Sequence, residues 1–328
     1  MGSFAQRFLA ASAGKRTLVL LGMDPDFRRL QQDFAEGPIE LHSEVTRLLA
    51  RQPLRALVEA AAVPEQFRRG FALLLGFGAQ TIFMLKDEVL GVKFQLAYFE
   101  EAGPFGLVAL AVLAGLCREL GLLVLMDAKR GDIGSTFARY LNAYLTDTGV
   151  PLSLEADAMT VNPLVGTDTW ELFVPYLRRG KGVFLLAYPT APGALTIMES
   201  LADGEPLWRL LARSARQLVF DHGLEREPSN LGLVVGALRP PMGERIREVF
   251  PEAMFLVPGI GTQGGSMANA LAFTGKMNWA LFNVGRSILY AYEKEEEASG
   301  QLASRFWEPQ LRAAQSFNAE LRRVLRIG

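Results

Sequence analysis

The chain has 328 residues, half of them hydrophobic, with 34 lysine and arginine side chains against 35 aspartate and glutamate, two histidines and one cysteine. A formal net charge of −1 leaves no polybasic footprint, which argues against nucleic acid as a partner. Cys117 alone can build neither an intrachain disulfide nor a cysteine zinc site, and His42 and His222 cannot form a multi-histidine metal centre. Proton chemistry is left to Asp, Glu, Lys and Tyr.

The N-terminal stretch MGSFAQRFLAASAGKRTLVLLG lacks the charged start, long apolar run and cleavage site of a secretory signal. The first apolar run, Thr17–Met23, reads as a strand ending at Asp24. A long interval follows, with helical patterns at Ser43–Ala62 and Pro64–Leu75, before the second run, Val89–Gln95, which carries Lys93. Phe105–Cys117 is apolar for only 13 residues and runs into Arg118 and Glu119. A membrane span needs about 20 such residues, so this segment predicts a buried helix, no membrane partner and a cytoplasmic protein. The remaining runs are Leu122–Met126, Ala158–Val161, Gly182–Ala187, Leu231–Val235, Ala253–Val257 and Trp279–Val284, with a helix around Trp208–Asp221 between the fifth and sixth runs.

Near-continuous apolar strands separated by amphipathic helices predict a parallel sheet covered by helices. The intervals from one strand end to the next are 69, 34, 35, 26, 48, 22 and 27 residues, and five of the seven fit one βα unit. Eight units favour an α/β fold of the (β/α)8 barrel type over an open doubly wound sheet. The expectation is a single domain over residues 1–328, with extra helices between the first and second strands. Its active site would lie at the C-terminal ends of the strands.

Asp127-Ala-Lys129-Arg-Gly-Asp132-Ile-Gly-Ser-Thr136 directly follows the third strand. Side chains alternate along a strand, so Asp127 and Lys129 are expected to point together into the barrel mouth. Asp132 falls beyond the strand, on the loop or first helical turn. Lys93 offers a second inward cation, and Asp24 an acid at the end of the first strand. One such residue alone reads as a helix cap or a solvated loop charge. Acids and bases at three successive strand ends read as catalytic, because an unpaired charge among apolar strands is costly. Carboxylates around a lysine favour its ammonium form. That spoils a Schiff-base nucleophile and suits a general acid, or a cation beside developing carbanion charge. The same carboxylates would crowd a substrate carboxylate and favour its loss as carbon dioxide, after which the ammonium protonates the vacated carbon.

Pro258-Gly-Ile-Gly261-Thr-Gln263-Gly-Gly265 follows the seventh strand and contains a formal G-x-G-x-x-G from Gly259 to Gly264. Its position late in the chain, and the lack of an acid near Phe282–Val284 to hold a ribose, argue against dinucleotide binding. A phosphate loop fits better, since the loops after the seventh and eighth strands of such barrels frequently bind phosphate. The eighth strand ends at Gly285-Arg286, whose guanidinium suits bidentate phosphate recognition.

With LVLLGMDP, VKFQLAYFE, DAKRGDIGST, MTVNPLVGTD, PGIGTQGG and NVGRSIL in this order between Leu18 and Leu289, the sequence resembles the orotidine 5′-phosphate decarboxylase family, in its longer bacterial-type branch. DAKRGDIGST with an upstream strand lysine is the specific part. The resemblance implies cofactor-free decarboxylation of orotidine 5′-monophosphate to uridine 5′-monophosphate, the last step of pyrimidine nucleotide synthesis, without a metal. It implies that Lys129 protonates C6, Asp127 faces the departing carboxylate, Lys93 joins the charged network and the ribose contacts, and Asp24 binds the ribose. Gln263, Gly285 and Arg286 would hold the phosphate. It further implies a homodimer with shared sites, in which Asp132, Ile133 and Thr136 enter the neighbouring site. One stretch departs from the branch. Its Arg-Thr-Ser-Asn-Pro-Gly-Ala stands here as Tyr188-Pro-Thr190-Ala191-Pro-Gly-Ala194, keeping a hydroxyl for the pyrimidine at Thr190 and losing an amide at Ala191.

Three other readings stay open. A metal-dependent phosphosugar decarboxylase or synthase of the same superfamily shares D-x-K-x-x-D but needs an acid on the second strand, where this chain has Lys93. A Schiff-base aldolase would be trapped by borohydride. A non-catalytic phosphate-ligand-binding barrel would show no turnover.

Overall fold

The computed structural model describes residues 2–35, 37–51, 54–60, 62–149, 153–261, 264–265, 267–275, 277–294 and 302–326. Eight parallel strands close into a barrel. They are β1 Val19–Met23, β2 Gly91–Gln95, β3 Leu123–Arg130, β4 Ala158–Val161, β5 Gly182–Tyr188, β6 Leu231–Val235, β7 Phe255–Pro258 and β8 Ala280–Val284. β8 closes onto β1, with Val19 opposite Phe282. All eight apolar runs are strands, and closure excludes the open doubly wound sheet. The runs are apolar throughout because helices cover one face and the barrel interior the other.

Paired residues of neighbouring parallel strands share a face. Gly22 pairs with Lys93 and Gln95 with Asp127, so ordinary alternation puts Lys93, Gln95 and Asp127 on the inner wall. Beyond Asp127 the alternation fails. Met126 pairs with Met159 and Arg130 with Val161, an interval of four residues on β3 against two on β4. Lys129 sits in this bulge at φ 46°, a left-handed conformation that costs a non-glycine residue about 1–2 kcal/mol. The expectation that plain alternation aligns Asp127 with Lys129 is therefore corrected: a bulge aims the lysine. Bulges commonly re-aim side chains next to active sites.

The long interval between β1 and β2 holds the helices Phe27–Asp33, Ser43–Leu49, Leu54–Ala60 and Glu65–Leu85. The single helix expected at Ser43–Ala62 is two, and Pro53, which lacks an amide hydrogen to continue a helix, lies between them in sequence. The helix expected at Pro64–Leu75 runs on to Leu85. Phe27–Asp33, capped by Asp26 through the Arg29 amide, is too short to show a periodic pattern.

This insertion packs against the C-terminal helix Trp307–Leu325 and the residues before it. Phe306 lies 5.5 Å from Phe34 edge-on and 5.2 Å from Phe77 in a stack, and Tyr292 joins the same cluster. The buried Asn318 accepts from Thr17 Oγ1 at 2.6 Å and donates to the Glu88 carbonyl at 2.8 Å and the Glu88 carboxylate at 3.0 Å. It thereby ties the tail to the chain just ahead of β1 and β2. The N-terminal end of the barrel also carries the helix Phe4–Lys15, whose Phe4 meets Phe184 edge-on at 5.7 Å.

Replacing Asn318 by alanine strands Thr17 and the Glu88 carbonyl. The expected loss in urea unfolding is about 1–3 kcal/mol, with steady-state kinetics unchanged, because Asn318 lies far from the barrel mouth.

Candidate active site

Asp127 is the centre of the site, with its carboxylate 8% exposed. Oδ2 accepts from Lys93 Nζ at 2.6 Å and Gln95 Nε2 at 3.0 Å. Oδ1 accepts from Lys129 Nζ at 2.5 Å and Thr160 Oγ1 at 2.8 Å. A carboxylate offers about four lone-pair sites, so Asp127 is saturated and locked. Thr160 Oγ1 also accepts the Lys129 amide hydrogen at 3.0 Å, so one hydroxyl fixes both the carboxylate and the bulge.

Electrostatics follow from this geometry. Burial pushes the Asp127 carboxyl up, but Lys93 and Lys129 outweigh it and hold the group well below the usual carboxylate range. Burial likewise disfavours the Lys93 ammonium, and Asp127 with Asp24 more than restores it, leaving its pKa above the ordinary lysine value. The two lysines differ in access. The Lys93 side chain is 4% exposed and sealed, whereas that of Lys129 is 43% exposed and opens to the mouth.

A second corner forms where β1 meets β8. Tyr290 Oη accepts from the Asp26 amide at 2.8 Å and donates to the Asp24 carbonyl at 3.1 Å, pinning the loop after β1. Gly285 lies against Asp24: a Cβ there would stand 3.1 Å from Asp24 Oδ2. Arg286 opens the short helix Arg286–Leu289 and is exposed. The phenol of Tyr98 is pushed up by burial and by Asp24 and drawn down by Arg286. Among the described residues, the buried Asp24 Oδ1 and Asn283 Oδ1 there have no hydrogen-bond partner.

The glycine-rich loop after β7 reaches the same corner. Gly259, Gly261 and Gly264 have φ of 101°, 88° and 91°, so the turn needs glycine at each. The amides of Gly261, Gly264 and Gly265 bond within the loop, and a Cβ on Gly261 would stand 3.2 Å from Ser287 Oγ. Gln263 lies outside the described residues. Thr190 stands against Gly236 at the end of β6, where a Cβ would meet its Cγ2 at 2.7 Å. Asp132, Ile133 and Thr136 lie apart from Asp127 within the chain. Asp132 accepts its neighbour's amide, from Ile133 at 2.8 Å, Ile133 is 65% exposed, and Thr136 is exposed.

Sequence reasoning missed Gln95, Thr160, Asn283 and Tyr290. Gln95 was within reach of the alternation that found Lys93, and Thr160 is the one hydroxyl in an otherwise apolar run. Asn283 and Tyr290 carry no signal until the barrel closes. Among the described residues, no three His, Cys, Asp or Glu side chains gather as a metal site, and no helix is long and apolar enough to cross a membrane.

Fold and site together define a (β/α)8 barrel with a lysine–aspartate–lysine cluster at its C-terminal mouth and a glycine–arginine corner beside it. The family model described as "Orotidine 5'-phosphate decarboxylase / HUMPS family" matches residues 80–300. The Rhodopirellula baltica orotidine 5′-phosphate decarboxylase is 34% identical over 96% of this chain and 97% of its own length. That of Herpetosiphon aurantiacus is 33% identical over 93% of this chain and 97% of its own. The solved Leishmania donovani OMP decarboxylase shares the fold, with a TM-score of 0.68 and 23% identity over 99% of both chains. The chain belongs to the orotidine 5′-phosphate decarboxylase / HUMPS family.

The charged cluster makes stability depend on pH with a defined sign. Asp127 is depressed below its ordinary 3.8, so its contribution is complete above that value and lost as pH falls beneath it. Lys93 is raised above 10.5, so its contribution is complete below that value and lost as pH rises past it. Asp127→Asn leaves Lys93 buried and unmatched, an expected cost of about 3–5 kcal/mol between about pH 5 and pH 10. Urea unfolding should show the gap to wild type narrowing below about pH 4.

Proposed function

We propose that this protein is a cofactor-free orotidine 5′-phosphate decarboxylase, converting orotidine 5′-monophosphate to uridine 5′-monophosphate and carbon dioxide in pyrimidine nucleotide synthesis. The observation that carries the reading is the saturated Asp127 carboxylate, held between a sealed and an open lysine at the barrel mouth. A substrate carboxylate beside Asp127 meets a charge that can neither turn away nor take up a proton. Breaking the C6–carboxylate bond releases neutral carbon dioxide and leaves an electron pair on C6. Lys129, the lysine open to the mouth, stabilises that charge and delivers its proton to C6. Lys93 keeps Asp127 ionised from below. Asp24 takes the ribose, Gly285 and Arg286 with Gln263 the phosphate, and Thr190 the pyrimidine.

The protein acts in this reading as a cytoplasmic homodimer, each chain one barrel domain over residues 1–328. Asp132, Ile133 and Thr136 of each chain complete the other's site. The apolar rim formed by Ile133, Leu164 and Val165, which are 65%, 54% and 40% exposed beside the mouth, supports a partner there. Lys93 also separates this reading from the family's metal-dependent chemistry, since a buried ammonium on β2 repels the cation that an acid there would bind.

Loss of absorbance from orotidine 5′-monophosphate, with and without chelator, tests the reaction. Turnover insensitive to chelator is expected; absent turnover, or its loss with chelator, overturns the reading. Lys129→Ala should lower kcat by at least about 10²–10⁴-fold while the protein stays folded. Arg286→Ala should chiefly raise KM. Mixing inactive Lys129→Ala and Asp132→Ala proteins should restore part of the activity, and no recovery despite demonstrated subunit exchange would refute shared sites.

A further inference from the structure

Thr160 is the one hydroxyl-bearing residue of β4. Leu125, two residues before Asp127, pairs with Ala158, so Ala158 and Thr160 share the inner wall with Asp127. Thr160 is 1% exposed, so it can act on a ligand only through its neighbours. An ionised carboxylate only accepts, which commits the hydroxyl hydrogen to Asp127 Oδ1 at 2.8 Å. The lone pairs left on Oγ1 take the Lys129 amide hydrogen at 3.0 Å. Lys129 Nζ donates to the same Oδ1 at 2.5 Å. These three bonds close a ring through Thr160 and Asp127 that holds Lys129 at both ends, backbone amide and ammonium.

Both ends need holding. A lysine side chain is a flexible four-carbon stem, and the Lys129 backbone sits in the β3 bulge at φ 46°. Such a backbone persists only where its surroundings over-determine it. Valine would fill nearly the same volume and suit a strand equally well, so what threonine adds at this position is the hydroxyl. That hydroxyl has a second use during reaction. Breaking the C6–carboxylate bond leaves an electron pair on C6. An Nζ–H bond of Lys129 then breaks, its electron pair stays on nitrogen, and the proton forms the C6–H bond. Lys129 is left neutral, while Thr160 still donates to Oδ1 as it did before the transfer.

We propose that Thr160 is a positioning residue, whose buried hydroxyl sets the aim of the Lys129 ammonium by tying the β3 bulge to the Asp127 carboxylate. This rests on the decarboxylase reading above. Aim matters to the rate because misplacing a reacting group by about 1 Å can cost about 10²-fold.

The test compares wild type with Thr160→Val, which keeps the shape and removes the hydroxyl, and Thr160→Ser, which keeps the hydroxyl and removes the methyl. Thermal melts run alongside, and rates are taken where each protein is folded, so that lost stability is not read as lost activity. Thr160→Val should lower kcat about 10- to 100-fold. KM for orotidine 5′-monophosphate and Kd for uridine 5′-monophosphate should stay nearly unchanged, since the lost bonds are to Lys129 and Asp127 and not to the ligand. Thr160→Ser should recover most of the lost kcat. A valine variant that melts lower but keeps the wild-type kcat gives the hydroxyl a purely structural role and overturns the inference. A serine variant as slow as valine, or a loss confined to KM, overturns it too. Thr160→Ala carries the same comparison should the valine variant not fold. A wild type without turnover defeats the functional reading and this inference with it, whereas an active wild type beside an unimpaired valine variant defeats the positioning role alone.

Discussion

A carboxylate withdrawn from water has to be matched or neutralised, and at Asp127 the matching draws on three consecutive strands. β2 supplies Lys93 and Gln95, β3 the carboxylate and Lys129, and β4 the hydroxyl of Thr160. Every bond depends on the parallel register, since a one-residue slip would turn Lys93 and Gln95 out of the barrel. The left-handed backbone at Lys129 is a cost accepted locally, and Thr160 helps hold it by taking the Lys129 amide hydrogen. Folding here and the proposed chemistry draw on one electrostatic arrangement.

The two corners of the site differ in how their buried acceptors are met. Around Asp127 all acceptor positions are filled before any ligand arrives, which is the condition for charges to act without reorganising during reaction. At the β1–β8 corner, by contrast, the buried Asp24 Oδ1 and Asn283 Oδ1 have no hydrogen-bond partner among the described residues.

The extra residues beyond the barrel have a shared task. The helices between β1 and β2 and the C-terminal helix meet through Phe34, Phe77, Tyr292 and Phe306, and Asn318 stitches the tail to the lead-in segments of β1 and β2. Gln310 repeats the device, accepting from Thr81 at 3.0 Å and donating to the Leu289 carbonyl at 2.7 Å. These elements brace the strands that carry Asp24 and Lys93 from outside the barrel. Tyr290, just after β8, joins the same aromatic cluster by stacking on Phe77 at 6.4 Å and holds the Asp24 loop through its hydroxyl.

The sequence by itself determined the eight strands, because a strand covered on both faces must be apolar along its whole length and so announces its own ends. It also determined Lys93, Asp127 and Lys129, because charges at the ends of such runs stand out against them. The shortage of histidine and cysteine in the composition had already limited proton chemistry to groups of this kind. Only the tertiary structure decided how those charges are satisfied. The β3 bulge is a matter of register between strands, and the roles of Gln95 and Thr160 depend on which neighbour they face. The close approach of Asn283 to Gly22, distant in the chain, exists only once the barrel closes. Local pattern records what each strand buries, whereas hydrogen-bond partners are set by barrel closure, which joins residues more than two hundred positions apart.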